Sequence, residues 1–403
     1  MISAAKNNTG SDIREKRFRL IAGLLMLCIL MCIVFYFYLG YSGYDIKGHW
    51  RISRYTLLGY DPFPLIGKDA LLDSVGKIPS GFATVPWCCV MGTAFYGAFL
   101  PLEQAKIYLW VLHFIAYIVT GAVVCRKFRE KFSSQLLLLF LFLIGGHFSF
   151  MYSLRYGNSG AILCCLCILA ICLTDSNPWI AGICMGFAMT KPQISMIICL
   201  VWLLNRKWKP LITAAVIDIA GWVASSAITG TSPLVLLKET FSSGTVSSKQ
   251  YLGLLGFLQS FGVNSTLILM ANMLIGILFT GGSWLYLKKK GSAEADSLIL
   301  YAPACAASTF WMYKNGTDYL ILAFVAAFFI WLCLEKKIST KHFVLSAGCI
   351  FYLEMSRCAV YFLIMVGGKT AAIRNMAKSA DGFLIAVAAM ILCRFWCVYR
   401  TKE

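Results

Sequence analysis

The chain has 403 residues, 59% of them hydrophobic and only 13% charged, with a mean hydropathy of +0.74. A soluble domain is nearer a quarter charged, so a soluble globular protein is excluded and no stretch remains for a sizeable soluble domain. The formal net charge of +18 would point to nucleic acid in a soluble protein, but here Lys and Arg gather at the ends of apolar runs, which is the orientation signal of a membrane protein.

Residues 1–17 are polar and carry Lys6, Arg14, Lys16 and Arg17, which the positive-inside rule assigns to the cytoplasm. The rest, 18–403, reads as a single polytopic transmembrane domain. Its first apolar run, Phe18 to Gly40, is too long for a signal-peptide core and no small-residue cleavage site is evident after it, so it is expected to be retained as span 1. Residues 41–104 then form a long first external loop. This loop holds Asp45, His49, Arg51, Arg54 and Asp61, a concentration of ionisable groups unlike most of the chain. The apolar stretch Phe82–Leu100 is bracketed by Pro86 and Pro101 and weakened by Gly92 and Gly97. Counting it as a crossing would put the basic cluster 126–131 outside, so it is expected to be an interfacial or re-entrant helix.

The remaining spans alternate in direction. Span 2 is expected at Ala105–Val124, span 3 at Ser134–Tyr152 and span 4 at Ser159–Leu173. Spans 5 and 6, Trp179–Thr190 and Pro192–Leu204, are broken at Lys191-Pro192. Each of these covers only about 18–20 Å, so Lys191 is expected in a cavity below the outer surface. Spans 7 to 12 follow at Leu211–Thr229, Thr266–Leu287, Ser297–Trp311, Tyr319–Leu334, Phe343–Val366 and Gly382–Tyr399. The fold class is therefore all-α integral membrane, with about twelve transmembrane helices, interfacial helices in the first external loop and both termini cytoplasmic. Most of the cysteines, such as Cys88, Cys89, Cys164, Cys165 and Cys167, lie inside apolar runs without metal-ligand spacing and read as small packing residues.

In this topology several polar groups share the external side. They are Asp45, His49, Arg51, Arg54 and Asp61 from the first loop, Arg155 and Asn158 after span 3, and Lys191 and Gln193 at the break. The loop after span 7 adds Lys238, Glu239, Lys249 and Gln250, and the span 9–10 turn adds Tyr313, Lys314 and Asp318. An acid flanked by cations suits transfer from a lipid phosphate: the carboxylate takes a proton from an acceptor hydroxyl, and the cations offset charge on the departing phosphate. Other readings stand beside this one. Lys191 can be a snorkelling lysine, Arg155 an anchor, Asp61 a turn residue before Pro62, and Tyr313 and Asp318 an interface-belt residue and a cap. Glu354 and Arg357 in span 11 can form a structural ion pair.

The order of these features resembles the polyprenyl-phosphate-dependent glycosyltransferases of family 87, with the C-type glycosyltransferase (GT-C) fold. Asp45 is followed by Leu57-Leu58-Gly59-Tyr60-Asp61-Pro62-Phe63, like the family's L-x-G-x-x-P-aromatic segment. Gly157-Asn158 is similar to its Gly-polar pair opening a span, and AGICMGFAMTKP at 181–192 to its A-G-x-x-x-G-x-A-x-x-K-P. Phe310-Trp311-Met312-Tyr313 resembles a later Trp-aromatic segment, and the likeness covers roughly 18–335. The Asp45-to-Gly59 spacing is one residue longer than the pattern, Asn158 stands where the family has Gln, and Tyr313 stands where a His is often found.

The resemblance implies Asp45 as general base and Lys191 as the contact to the donor's lipid phosphate, with Arg155, Arg51 and Arg54 as further phosphate contacts. It implies His49, Asn158, Gln193, Tyr313 and Asp318 as substrate contacts, and no metal or cofactor, since fixed cations can serve instead. The implied partners are a polyprenyl-phosphate sugar donor, with mannose the expected sugar, and a lipid or glycan acceptor in a cell membrane. Nucleic acid is not among them. The competing class is a twelve-span transporter or lipid flippase, which broken helices and intramembrane charges also fit. Its expected signature, two related halves, is not evident in the chain.

Overall fold

The computed structural model describes residues 42–80, 82, 84–128, 140–141, 143–239, 262, 264–289, 300–312 and 316–326, with isolated positions elsewhere. Expected spans 1, 11 and 12, the ends of spans 3 and 10, Lys249, Gln250, Tyr313, Lys314 and the Glu354–Arg357 pair lie wholly or almost wholly outside the described residues. Every regular element among the described residues is helical.

The 41–104 segment folds as two short helices, α1 (Tyr44–Leu57) and α2 (Pro86–Tyr96), joined through a 3-10 turn at Phe63–Leu65. Helix α2 starts with Pro86 in its first turn and stops at Gly97, which adopts φ 55. Proline is pre-set for the first turn, and glycine takes the left-handed stop without a Cβ clash. Its 11 residues span about 16 Å, short of the roughly 30 Å a crossing requires.

Three helices are long and apolar enough to cross a membrane by length and composition: Leu102–Lys127, Trp208–Thr229 and Thr266–Lys289. They belong to α3 (Leu102–Phe128), α8 (Trp208–Thr229) and α9 (Ser265–Lys289). Ile107, Ile118, Ile212, Val216, Ile219, Leu267, Met270 and Leu278 on them are exposed, and broad exposed apolar faces of this kind mark contact with lipid or protein. Helix α3 runs past the expected Val124 through Arg126 and Lys127, because basic residues are good helix formers and suit a helix C-terminus. Helix α8 starts at Trp208 rather than Leu211, since Pro210 falls in the first turn, where its missing N–H has no partner to lose.

Between these lie α4 (Phe148–Tyr156), α5 (Gly160–Leu173), α6 (Pro178–Ala188), α7 (Pro192–Leu204) and α10 (Tyr301–Ala307), with a 3-10 turn at Gly316–Ile321. Expected span 3 is interrupted: His147 leaves helical geometry at ψ 134, and its Nδ1 accepts from the Ser149 N–H to open α4. The preceding Gly145-Gly146 pair weakens the helix at that point. Expected span 9 also ends earlier as a helix, with turns after Ala307.

Helix α5 is apolar all round and buried nearly all round, as such a helix must be. Cys164, Cys165, Cys167 and Cys172 pack within it as small core residues. Helices α6 and α8 meet along Gly182 and Gly186: a Cβ on Gly182 would lie 2.7 Å from the Pro210 carbonyl oxygen, and one on Gly186 would lie 2.9 Å from Ile217. That spacing of small residues lets two backbones approach closely. One core cluster surrounds α5, α6, α7 and α10, and a second joins α1 and α2 to the start of α3. The first turns of α5 contribute to both, through Ala161 on one side and Ile162 and Leu163 on the other.

Candidate active site

Four helix ends and turns meet where the two core clusters join. The first is the start of α1. Gly43 takes φ 55 there, and the N–H groups of Ser42 and Gly43 both donate to the Arg155 carbonyl, at 3.0 and 3.1 Å. This fixes Asp45 in the first turn of α1, half-buried. The second is the α4–α5 turn, where Gly157 at φ 67 ends α4 and leaves Asn158 almost fully buried. The third is the α6–α7 break. Pro192 opens α7 and holds Lys191 out of helical geometry, at φ −125 and ψ 79. The Trp87 indole N–H of α2 donates to the Met189 carbonyl beside it, at 3.0 Å. The fourth is the Gly316–Ile321 turn, which carries Thr317 and Asp318, both fully buried.

The side chains of these helix ends and turns form a connected polar chain. Lys191 Nζ donates to Asn158 Oδ1 at 2.7 Å, to Asp318 Oδ1 at 2.8 Å and, more weakly, to Thr317 Oγ1 at 3.4 Å. An ammonium has three N–H bonds, and each has an acceptor here. Thr317 Oγ1 donates to Asp318 Oδ1 at 3.0 Å. Asn158 Oδ1 also accepts from the Gly160 N–H at 2.8 Å, and Asn158 Nδ2 donates to Asp45 Oδ2 at 2.8 Å. Two donors on the oxygen settle which way the amide faces. The Asn158 main chain is held as well: its N–H donates to the Ser153 carbonyl at 2.9 Å, and its carbonyl lies 3.0 Å from His113 Nε2 on α3.

The electrostatics follow from this packing. Burial pushes the Asp45 carboxyl above its ordinary 3.8, against the opposing pull of the Asn158 hydrogen bond and the Lys191 charge. His49 lies one turn on from Asp45 along α1, stacked on Tyr96 with ring centroids 4.8 Å apart and edge-on to Phe82 at 5.1 Å. Burial, with the Lys191 charge, pushes its imidazole down to about 3, so it is neutral at physiological pH. Tyr96 OH and Ser159 Oγ are 2.7 Å apart, which ties α2 to the Asn158 turn.

Of the residues singled out from sequence, Asp45, Asn158, Lys191 and Asp318 come together, with His49 beside them. Arg51 and Arg54 are used elsewhere. Six and nine residues beyond Asp45, they are turned by about 120° and 180° around the α1 axis from it. Arg51 donates to the carbonyls of Val75 and Lys77 at 3.1 and 2.7 Å, and Arg54 to that of Ala98 at 3.0 Å. Arg155 reaches the site through its carbonyl, while its guanidinium lies 4.8 Å from the Tyr156 ring centroid and donates to that residue's hydroxyl. Gln193 is buried on α7, and its carbonyl accepts from the Trp311 indole at 2.9 Å. Tyr313 lies outside the described residues. Asp61 holds a turn: it accepts from the Phe63 N–H and from the Thr231 hydroxyl, both at 3.0 Å. Sequence reasoning did not single out Thr317 or His113. Thr317 had only its place beside Asp318 to mark it, and His113 was a lone polar ring in an apolar run.

Described residues that are helical throughout, three helices long and apolar enough to cross a membrane, and an ionic cluster at the ends of the shorter helices make a membrane protein with a buried polar site. The model of glycosyltransferase family 87 matches residues 93–335, more than half of the chain, and the chain belongs to that family. It is a membrane glycosyltransferase. Asn158, Lys191 and Asp318 fall inside the matched region, and Asp45 and His49 precede it. No curated protein and no solved structure matches the chain.

Proposed function

We propose that the protein transfers a sugar, with mannose the leading candidate, from a polyprenyl-phosphate donor to a glycolipid or cell-envelope glycan acceptor. The reaction takes place on the extracytoplasmic side of a multi-pass membrane protein with cytoplasmic termini. The observation that carries this reading is the hydrogen-bonded line from the Asp45 carboxylate through Asn158 to the Lys191 ammonium. A proton acceptor and a cation held one amide apart are what the two ends of the reaction need.

Asp45 accepts the proton of the acceptor hydroxyl as that oxygen bonds to the sugar's anomeric carbon. The bond from that carbon to the phosphate oxygen breaks, and its electron pair leaves on the polyprenyl phosphate. Attack from the face opposite the leaving group inverts the anomeric centre. Lys191 offsets the growing phosphate charge, and its 3.4 Å contact to Thr317 is the longest of its three and the one a phosphate oxygen replaces. Membrane sidedness rests on the positive-inside rule: Arg206 and Lys207 lie at the end of α7 opposite Lys191, and Trp284, one turn before Lys288 and Lys289 on α9, donates to Asn205 there at 3.0 Å.

The test is incubation of the purified protein with radiolabelled polyprenyl-phosphate mannose and extracted envelope lipids. Label is expected in a new lipid or glycan product. Transfer from a nucleotide sugar in place of the lipid donor would overturn the donor assignment.

A further inference from the structure

Lys191 has a second task that its role as a phosphate contact does not explain. Its shortest contact is to the Asn158 side-chain oxygen, at 2.7 Å. That same amide delivers its nitrogen to Asp45. A cation on an amide oxygen draws electron density from the nitrogen and strengthens the N–H as a donor, and hydrogen bonds in such a line reinforce one another away from water. The Gly160 N–H on the same oxygen keeps the amide from turning over. Main-chain contacts to Ser153 and His113 keep the residue in place.

We propose that Lys191 acts on Asp45 through the Asn158 amide, a charge-assisted relay that orients the carboxylate and keeps it ionised in its half-buried position. Asn158 is then a positioning residue. The proposal deepens the reading of Asp45 as base and rests on it for its catalytic meaning, but the relay itself is readable without any sugar substrate.

Asp318 makes a clean test possible. It lies 2.8 Å from Lys191 with opposite charge, so the direct fields of the two groups on Asp45 oppose each other. Replacing both together, Lys191→Met with Asp318→Asn, removes two opposing fields and leaves no unpaired buried charge. The direct Lys191 field on Asp45 is the larger of the two, so the paired change leaves a residual direct effect, and the part that passes through Asn158 is the part lost once Asn158→Ala is already in place.

The readout is the pH dependence of Asp45 modification by a membrane-permeant carbodiimide, which reacts with the protonated carboxyl, followed by mass spectrometry of the full-length protein in detergent. Asn158→Ala is expected to raise the midpoint by about one pH unit or more, the usual effect of losing a hydrogen bond to a charged carboxylate. The paired variant is expected to raise it by a smaller step, and that step to shrink to the residual direct field of Lys191 once Asn158→Ala is already in place. A midpoint unmoved by the pair, or shifts that simply add, would overturn the relay. A midpoint falling toward the ordinary carboxyl value would overturn it as well, because it reports water reaching Asp45 through a collapsed pocket. Failure of sugar transfer with the midpoint shifts intact would count against the donor reading and leave the relay standing.

Discussion

At the scale of single residues, the charge states near Asp45 make a pH prediction with a definite sign. A base must be ionised to act, and burial raises the Asp45 carboxyl above 3.8. Activity should therefore fall on the acid side at a pH above the ordinary carboxyl value. His49 does not supply that limb, because it is already neutral down to about 3. His49→Phe, which keeps the stack on Tyr96, should leave the acid limb of kcat/KM where it is; movement of the limb would assign it to His49 instead. The Lys191–Asp318 pair makes a second prediction. Its side chains are 12% and 0% exposed, and removing one partner of such a pair costs about 3–5 kcal/mol by leaving a buried charge alone. Lys191→Met should lower the thermal midpoint in detergent, and adding Asp318→Asn should restore most of it. Arg206 offers a third prediction. It ends α7 in the left-handed region at φ 56, with Arg206 N–H on the Leu203 carbonyl at 3.1 Å and Lys207 N–H on that of Trp202 at 2.8 Å. Glycine suits that position better, so Arg206→Gly should stabilise by about 0.5–1 kcal/mol in the same melting assay.

At the scale of elements, the site depends on how closely its helix ends and turns approach. Gly160 has Thr317 against it: a Cβ there would lie 2.7 Å from the Thr317 carbonyl oxygen and 2.8 Å from its side chain. Gly160→Ala should push the Thr317–Asp318 turn away from Lys191, at a cost of about 1–3 kcal/mol and with loss of transfer. A stable, fully active Gly160→Ala protein would show that the turn need not sit so close. The local elements were largely legible in the chain. Pro192 set the start of α7 and Pro86 that of α2, because proline speaks through its own geometry. The interruption at His147 was not legible, since Gly145-Gly146 weakens a helix without saying that it must stop. Arg51 and Arg54 were misleading in a similar way. A cation near an acid in sequence looks like part of a site, but rotation around α1 turned both away onto loop carbonyls.

At the scale of the whole molecule, the polar groups that converge come from segments as distant in sequence as Asp45 and Asp318, and all sit at helix ends. That convergence was legible only as the expectation of a shared membrane side; the amide that links acid to cation was not, because no spacing rule encodes which of many polar groups will touch. A transporter would hold its charges at mid-membrane between related halves. Helix ends at a break fit a transporter as well, and it is the family match over residues 93–335 that decides between the two classes here.

The most direct measurement is single-turnover sugar transfer by Asp45→Asn against the unaltered protein, both in the same membrane preparation and with matched folding by thermal melting. Loss of about 10²- to 10⁴-fold in rate, with donor binding retained, is what a removed general base produces. An Asp45→Asn protein that turns over at the normal rate would take the proton acceptor away from α1 and contradict the account at its centre.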